Sequence, residues 1–83
     1  MKIAIIDDQQ EIRYSVAKIL QRYNHIPLQF NGEEFGLEVT FQEQGVELLI
    51  VDVMLGDHFT GIDLVKSFKK HGLKLPIILM TAY

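Results

Sequence analysis

The sequence contains no cysteine. This absence excludes a disulfide framework, a thiolate metal site and a cysteine nucleophile. Long apolar runs are also absent: none approaches the roughly 18 residues that a membrane-spanning helix needs. The short apolar stretch at the N-terminus runs directly into Asp7 and Asp8, which argues against a signal peptide. We therefore expect a soluble, cytoplasmic protein that neither spans nor binds a membrane.

The sequence also lacks an excess of positive charge, and its formal net charge is −3. This segment therefore gives no reason to expect direct binding to nucleic acid or to an anionic membrane. The one basic cluster lies on and just after a predicted helix, and we interpret it as a solvated helix face. Its members are Lys66, Lys69, Lys70 and Lys74. The length predicts one small domain, spanning residues 1–83.

The hydrophobic pattern predicts strands that alternate with helices. The predicted strands are residues 2–6, 26–30, 47–52 and 76–80, and the predicted helices are residues 10–23, 32–44 and 61–71. The strands are nearly continuous apolar runs, as in strands that are covered on both faces. Pro27 lacks an N–H, so it fits only an edge strand or the start of a strand. Alternation of this kind predicts an α/β protein with a doubly wound parallel sheet.

The predicted helices carry apolar stripes that should face the sheet. The stripe of the first helix is Ile12, Val16, Ile19, Leu20 and Tyr23, with Arg13 among the residues of its solvated face. The stripe of the third helix is Ile62, Leu64, Val65 and Phe68, and Gly72 is a predicted left-handed cap after it.

The second helix is predicted to begin with a capping-box-like pair, Asn31 and Glu34. Within it, Phe35 with Val39 and Leu37 with Phe41 are spaced four apart, as packed helical pairs are.

Acidic and hydroxyl side chains follow the predicted strands. Asp7 and Asp8 follow the first strand, Asp52 ends the third, and Thr81 follows the fourth. Ligands of parallel α/β sheets bind beyond the carboxyl ends of the strands. If strands one, three and four are neighbours, the three carboxylates and the hydroxyl converge there, and the carboxylates repel one another unless some are protonated or a cation neutralises them. Oxygen ligands without cysteine or clustered histidine indicate Mg²⁺ or Mn²⁺, with a backbone carbonyl from the loop after Asp52 as a further ligand.

Asp52 is the natural phosphoryl acceptor of this arrangement. A carboxylate is already an anion at neutral pH and needs no base to attack phosphorus. A metal ion would cancel charge on the transferring oxygens, and Thr81 would donate a hydrogen bond to one of them. Each residue also has a plainer interpretation: Asp7 or Asp8 as a helix N-cap, Asp52 as a turn residue, Thr81 as a strand threonine. His25, His58 and His71 show no ligand spacing, and we assign none of them to catalysis.

Three segments resemble the receiver domains of two-component response regulators. They are IIDDQQEIR, LLIVDVML and PIILMTAY, in this order and spacing, together with the turn at residues 31–34 and Gly61 before a helix. The resemblance implies a flavodoxin-like fold and a phosphoacceptor module that is not an enzyme. The last segment looks most like receivers that are attached to transcriptional activators.

The resemblance also implies roles and partners. Asp8 matches the direct Mg²⁺ ligand, and Asp7 the acid that holds the water shell of the metal. Asp52 matches the phosphorylated aspartate, and Met54 the residue whose backbone carbonyl binds the metal. Thr81 matches the switch hydroxyl, and Ala82 the small residue beside the phosphoryl group. The implied partners are a sensor histidine kinase or a small phosphodonor, and an output domain or partner protein.

The sequence departs from the receiver pattern in two places. The loop after Asp52 has Gly56 where proline is common, and it is about one residue longer. A full receiver has five strands and five helices, whereas this chain matches the pattern only through strand four. The last helix-strand-helix is lacking, and no lysine here matches the lysine of strand five. We expect self-association through the exposed edge of the fourth strand.

Three alternatives stay open at this point. The first is a receiver-like interaction module that pairs through that edge without being phosphorylated. The second is a Mg²⁺-dependent phosphatase with an aspartyl-phosphate, but such enzymes carry Asp-x-Asp after strand one, and here Gln9 occupies the second acidic position. The third is a dinucleotide-binding fold, which needs a glycine-rich turn where this chain has Asp7-Asp8-Gln9-Gln10.

Overall fold

The structure, a computed structural model, describes residues 1–56 and 59–81. In this part of the chain, four parallel strands alternate with three helices, which confirms the predicted α/β class. The strands are β1 (Lys2–Ile6), β2 (Ile26–Phe30), β3 (Leu48–Asp52) and β4 (Ile77–Met80); the helices are α1 (Gln10–Arg22), α2 (Leu37–Gln44) and α3 (Gly61–Lys70).

The sheet has the order β2-β1-β3-β4, which makes β1 and β3 its central strands. Pro27 lies in β2, an edge strand of this sheet, as its missing N–H requires. Ile6 is paired with Val51, and Val51 with Leu79. The central strands and β4 therefore end at one level, and the residues that follow them emerge at the same edge of the sheet.

Helices cover both faces of the sheet, as in a doubly wound fold. On one face, α2 and α3 pack on alternate residues of the central strands, and this cluster includes Ala4, Ile6, Leu37, Phe41, Leu49, Val51, Leu64 and Phe68. The rings of Phe30, Phe41 and Phe68 meet edge to face, with centroids 5.4 and 5.6 Å apart, a geometry that adds about 0.5–1.5 kcal/mol per pair to the burial of the rings. On the other face, α1 packs over β1 and β2.

The predicted start of the second helix is wrong. Helix α2 begins at Leu37, and residues 31–36 form a turn. The Glu34 carboxylate accepts the N–H groups of Asn31 and Gly32, each at 2.9 Å, and therefore closes the turn and does not cap a helix. Gly36 then takes a left-handed conformation, with φ of 67°, which an α-helix does not contain.

The side chains at this turn differ from the prediction accordingly. Phe35 lies before the helix and is fully exposed, and Val39 is 56% exposed, so their predicted pairing is wrong. The second predicted pair, Leu37 and Phe41, is buried. These two residues are the buried ones of the eight-residue helix α2 and pack it against the core.

The predicted stripes of α1 and α3 are partly wrong. Ile19 and Tyr23 are 52% and 68% exposed, and Ile62 is 43% exposed. Helix α1 turns Ala17 toward the sheet, so Ile19, two positions further, lies on the opposite side of a helix with 3.6 residues per turn. Tyr23 is the C-cap residue and lies beyond the last residue of the helix. Ile62 likewise lies almost opposite the buried Leu64 on α3.

The ends of α3 are well defined. Thr60 and Asp63 form a reciprocal capping box at its start, with contacts of 3.1 Å. At its end, Gly72 has φ of 83° and its N–H donates to the Lys69 carbonyl, as predicted. Among the described residues, no helix has the length and apolar character needed to cross a bilayer.

Candidate metal centre

Three carboxylates meet where β1 and β3 end. Asp7 and Asp8 follow β1, and Asp52 is the last residue of the adjacent β3. Each offers a carboxylate oxygen within 4.8 Å of the other two. Asp7 is fully buried and Asp52 is 7% exposed, whereas Asp8 is exposed. The sheet order therefore brings together the acids that the sequence places after separate strands.

Asp7 is held by hydrogen bonds of its main chain and its side chain. Its N–H donates to the carbonyl of Phe30 on the neighbouring strand at 3.1 Å. Its Oδ1 accepts the N–H of Gln9 at 2.8 Å, which closes a local turn. Its carbonyl accepts a hydrogen bond from Nη1 of Arg13 at 2.6 Å. The N-cap residue of α1 is Gln9, so Asp7 is not the N-cap of that helix.

The second carboxylate oxygen of Asp7 is unsatisfied. Oδ2 is buried, and within residues 1–56 and 59–81 it has no hydrogen-bond partner. Burial is the largest cause that raises the pKa of Asp7 from 3.8 to about 6, and the charges of Asp52 and Asp8 add to it, while the Gln9 N–H opposes it. A buried acceptor facing two further carboxylates fits a cation.

Asp52 is fixed by the loop that follows it. Its Oδ1 accepts the N–H of Met54 at 3.1 Å, and the N–H of Val53 donates to the Met80 carbonyl of β4 at 2.9 Å. Met54 then forms an antiparallel bridge with Thr60, so the two ends of the loop lie side by side. The Met54 residue, predicted to offer its carbonyl to the metal, therefore lies directly beside the Asp52 carboxylate.

Gly61 closes the same loop from the other side. Its N–H donates to the Val53 carbonyl at 2.7 Å. A Cβ at this position would overlap the carbonyl oxygen of Asp52 and approach the Val51 side chain to 2.9 Å. Glycine is thus required here by the close approach of the backbone to Asp52.

Thr81 lies at the same edge of the sheet. A small cavity of about 60 Å³ is lined by Asp7, Ile12, Asp52, Met80 and Thr81, which places the threonine beside the two buried acids. Its side chain is exposed to solvent. The predicted small residue Ala82 and the loop histidine His58 lie outside the described residues.

The donor set at this centre consists of oxygens. It fits a hard divalent cation such as Mg²⁺, which takes one or two carboxylates and keeps several waters. The histidines His25 and His71 do not belong to it. His71 lies at the far end of α3, where its Nδ1 is 2.8 Å from the Ser67 carbonyl and 3.9 Å from the Glu38 carboxylate.

Two residues at the centre escaped the sequence-based prediction of the site. The sequence pattern places Arg13 on the solvated face of α1, but it is half-buried and contacts Asp7. For Gly61, the pattern indicates only a glycine before a helix. The available signal was weak in both cases: a cation one turn into a helix that follows an acid pair, and a glycine directly after a capping threonine.

Comparison with known proteins agrees with this geometry. Residues 3–83 match the family model of the response regulator receiver domain, and the chain belongs to this family. The transcriptional regulatory protein CiaR of Streptococcus pneumoniae is 30% identical over 83 residues, which are 99% of this chain and 35% of CiaR. The chain therefore spans about a third of the length of this curated relative.

Solved receiver structures share the fold. The response regulator TrrA of Thermotoga maritima, solved in complex with Mg²⁺–BeF, is 28% identical with a TM-score of 0.81, over 99% of this chain and 70% of TrrA. The BeF₃-activated receiver domain of RstA from Klebsiella pneumoniae has a TM-score of 0.82 at 21% identity, over 100% of this chain and 68% of its own. At that identity, the RstA match supports the fold alone.

Proposed function

We propose that the chain is the phosphoacceptor module of a two-component response regulator and that Asp52 is the residue phosphorylated. The observation that carries this proposal is the position of Asp52, a carboxylate at the end of a central strand with two further carboxylates within 4.8 Å. Membership of the receiver family supports it. The module accepts a phosphoryl group and is not itself an enzyme, beyond promoting its own phosphorylation and dephosphorylation.

The residues at this centre would hold Mg²⁺, or Mn²⁺ in its place. We assign Asp8, Asp52 and the Met54 carbonyl as direct ligands, and Asp7 as the acid that holds the water shell. The buried, unsatisfied Oδ2 of Asp7 supports a cation at this place, and TrrA was solved with Mg²⁺–BeF. When bound, the cation neutralises charge on the transferring phosphoryl oxygens.

The transfer itself would use the Asp52 carboxylate as nucleophile. A carboxylate oxygen forms a bond to phosphorus as the bond from phosphorus to the donor breaks. With a phosphohistidine donor, the imidazole nitrogen leaves with the electron pair of the broken bond. The released ring is neutral if its other nitrogen carries a proton, and otherwise the leaving nitrogen takes a proton from solvent. A sensor histidine kinase is the proposed donor. A small acyl phosphate is an alternative donor, and its carboxylate is then the leaving group.

Thr81 would report the phosphorylated state. It lines the same small cavity as Asp52, where its hydroxyl would donate to a phosphoryl oxygen and shift the end of β4. Ala82 would leave room beside that group. The response would pass to an output domain or partner protein in the cytoplasm, and the relative CiaR, a transcriptional regulatory protein, supports an output in transcription.

The test is phosphorylation by acetyl phosphate, read as the gain of one phosphoryl group in intact mass. We expect the gain with Mg²⁺, its loss with excess EDTA, and its loss in Asp52→Asn. Asp63→Asn is the matched control, because the amide oxygen still accepts the Thr60 N–H at the capping box. Phosphorylation of Asp52→Asn to the extent of the control would contradict the proposal.

A second candidate is an interaction module that works without phosphorylation. The observation in its favour is the exposure of β4, an edge strand of the described sheet, in which Ile78 and Leu79 are 50% and 46% exposed. The candidates differ in their dependence on Asp52. If the unmodified chain, the phosphorylated chain and Asp52→Asn bind a partner with the same affinity, the interaction module is favoured.

A further inference from the structure

Arg13 differs from the other basic residues of its helix. It is half-buried, whereas Lys18 and Arg22 on α1 are exposed. Its guanidinium turns back toward the β1–α1 loop, where Nη1 donates to the Asp7 carbonyl at 2.6 Å. Its Nε is buried without a hydrogen-bond partner in the described part of the chain. A buried, unpaired donor is unfavourable by about 1–3 kcal/mol, which opposes the gain from the hydrogen bond that the same guanidinium makes through Nη1.

The contact acts on the peptide that joins Asp7 to Asp8. The Asp7 carbonyl and the Asp8 N–H belong to one planar unit, so a bond to the carbonyl fixes the orientation of both. Asp7 has two further anchors, to Phe30 and Gln9. The exposed Asp8 carboxylate, in contrast, accepts no hydrogen bond from residues 1–56 or 59–81, so the main chain before it sets its direction.

We propose that Arg13 is a positioning residue of the metal centre, which holds the Asp7–Asp8 peptide so that the Asp8 carboxylate points at the cation. The inference rests on the proposed function, because it assumes that the three acids bind Mg²⁺. Arg13 contacts a backbone oxygen, and in the described chain it forms no ion pair with any of these acids. It therefore acts through the geometry of the ligands and not by contact with the metal.

The direction of the change in Mg²⁺ affinity on removal of Arg13 distinguishes a positioning role from an effect of its charge. A guanidinium near three carboxylates repels a divalent cation, so by charge alone the loss of Arg13 would tighten Mg²⁺ binding. Loss of a group that orients a ligand weakens binding, typically by 10–100-fold. A purely structural role would change the stability of the fold but leave the affinity of folded molecules unaltered. These three roles predict different outcomes for one substitution.

The experiment compares Arg13→Ala with Arg22→Ala. Both remove an arginine and one positive charge from α1, but Arg22 is exposed in the last turn of the helix. Mg²⁺ affinity is measured by NMR titration of the folded population, with amide shifts of Asp8 and Gln9 as the readout, and urea unfolding is measured in parallel. We expect Arg13→Ala to weaken Mg²⁺ binding roughly tenfold and Arg22→Ala to leave it within about twofold.

Equal or tighter binding by Arg13→Ala than by Arg22→Ala would overturn the inference while the proposed metal site stands. Absence of Mg²⁺ binding by the unsubstituted chain would overturn both. If Arg13→Ala does not fold, Arg13→Gln decides the question, since it retains a shorter polar side chain and removes the charge. Weaker binding by Arg13→Gln supports positioning, and unchanged or tighter binding overturns it.

Discussion

The carboxylates of Asp7 and Asp52 approach within 4.8 Å of each other although both side chains are buried. This proximity follows from the sheet, because β1 and β3 are adjacent and parallel and end at one level. The fold thus holds two like charges together where solvent screens them poorly. Such an arrangement is unfavourable in the chain alone, and the proposed cation would offset the repulsion.

The first prediction is a dependence of stability on pH. The pKa of Asp7 is raised from 3.8 to about 6, so the folded chain binds its proton more tightly than the unfolded chain. Where the folded state binds more protons, the free energy of unfolding falls as pH rises. This contribution is complete below about pH 4 and lost by about pH 6 to 7, and it amounts to at most about 3 kcal/mol.

The measurement is urea unfolding between pH 4 and 8, with EDTA and then with saturating Mg²⁺. Without metal, the free energy of unfolding should decrease through the window from pH 4 to 6. With Mg²⁺, stability above pH 6 should be restored, since binding favours the ionised carboxylates and releases protons. A profile that rises through this window without metal would be the opposite of the expected result.

The second prediction concerns Asp7→Asn. The amide is neutral, so it removes both the burial of a charge and the repulsion from Asp52, while its oxygen still accepts the Gln9 N–H. At pH 7 without metal, we expect the variant to be more stable than the parent chain by about 1–3 kcal/mol, with a flatter pH profile. Mg²⁺ binding should weaken at least tenfold.

Asp8→Asn is the control for this substitution. Asp8 is exposed, so its replacement should alter stability by no more than about 0.5 kcal/mol, although it should also weaken Mg²⁺ binding. The pair therefore separates the cost of burying the charge from the loss of a ligand. A less stable Asp7→Asn at pH 7 would show that its carboxylate does not oppose folding.

The sequence was sufficient to predict the sheet and the position of the acids. Each strand is a continuous apolar run, and the acids follow the runs directly, so the rule for parallel sheets leads to the edge where the strands end. The meeting of Asp7 and Asp52 at that edge also requires β1 and β3 to be neighbours, which the strand order of the structure shows. The start of α2 could not be predicted in the same way. The Asn31–Glu34 spacing suits a helix cap and also a closed turn, and tertiary contacts of Leu37 and Phe41 decided between them.

The contact of Arg13 with the Asp7 carbonyl could not be predicted from the sequence for a different reason. Spacing along α1 places it beside solvated residues, and nothing in the sequence indicates that a long side chain turns back to a carbonyl. Which way a helix rotates on a sheet is likewise decided by packing. With Ala17 toward the strands, Ile19 becomes exposed although it fits the apolar stripe.

The third prediction concerns Gly61→Ala. Helix propensity alone predicts that alanine at this first position of α3 stabilises the fold by about 0.5–1 kcal/mol. The overlap of the new Cβ with the Asp52 carbonyl predicts the reverse, because the backbone of one of them must move. We expect a loss of at least about 1–3 kcal/mol in the free energy of unfolding and slower phosphorylation of the displaced Asp52.

Lys66→Ala on the same helix serves as the comparison, since Lys66 is exposed and the substitution tests helix propensity alone. Urea unfolding gives the stability, and the rate of mass gain with acetyl phosphate gives the reactivity of Asp52. A Gly61→Ala variant that is as stable and as reactive as Lys66→Ala would show that the backbone at Asp52 accommodates a methyl group without displacement.

The fourth prediction is that the 83-residue polypeptide self-associates through β4. The unpaired backbone groups of an edge strand are a template for pairing with another chain. Exposed Ile78 and Leu79 would add apolar contact to such a pairing. We expect sedimentation velocity to show a weight-average mass that rises with concentration. Ile78→Lys should shift the distribution toward monomer, because a charged side chain on an edge strand opposes pairing with another chain. The matched control is Ile26→Lys, on the opposite edge strand, since Ile26 is 53% exposed and Ile78 is 50% exposed. The neighbouring Pro27 leaves β2 without one N–H donor, which makes that edge the poorer template for pairing. The two lysine variants should therefore differ in mass distribution although both remain folded, and equal self-association of both would place the contact elsewhere than β4.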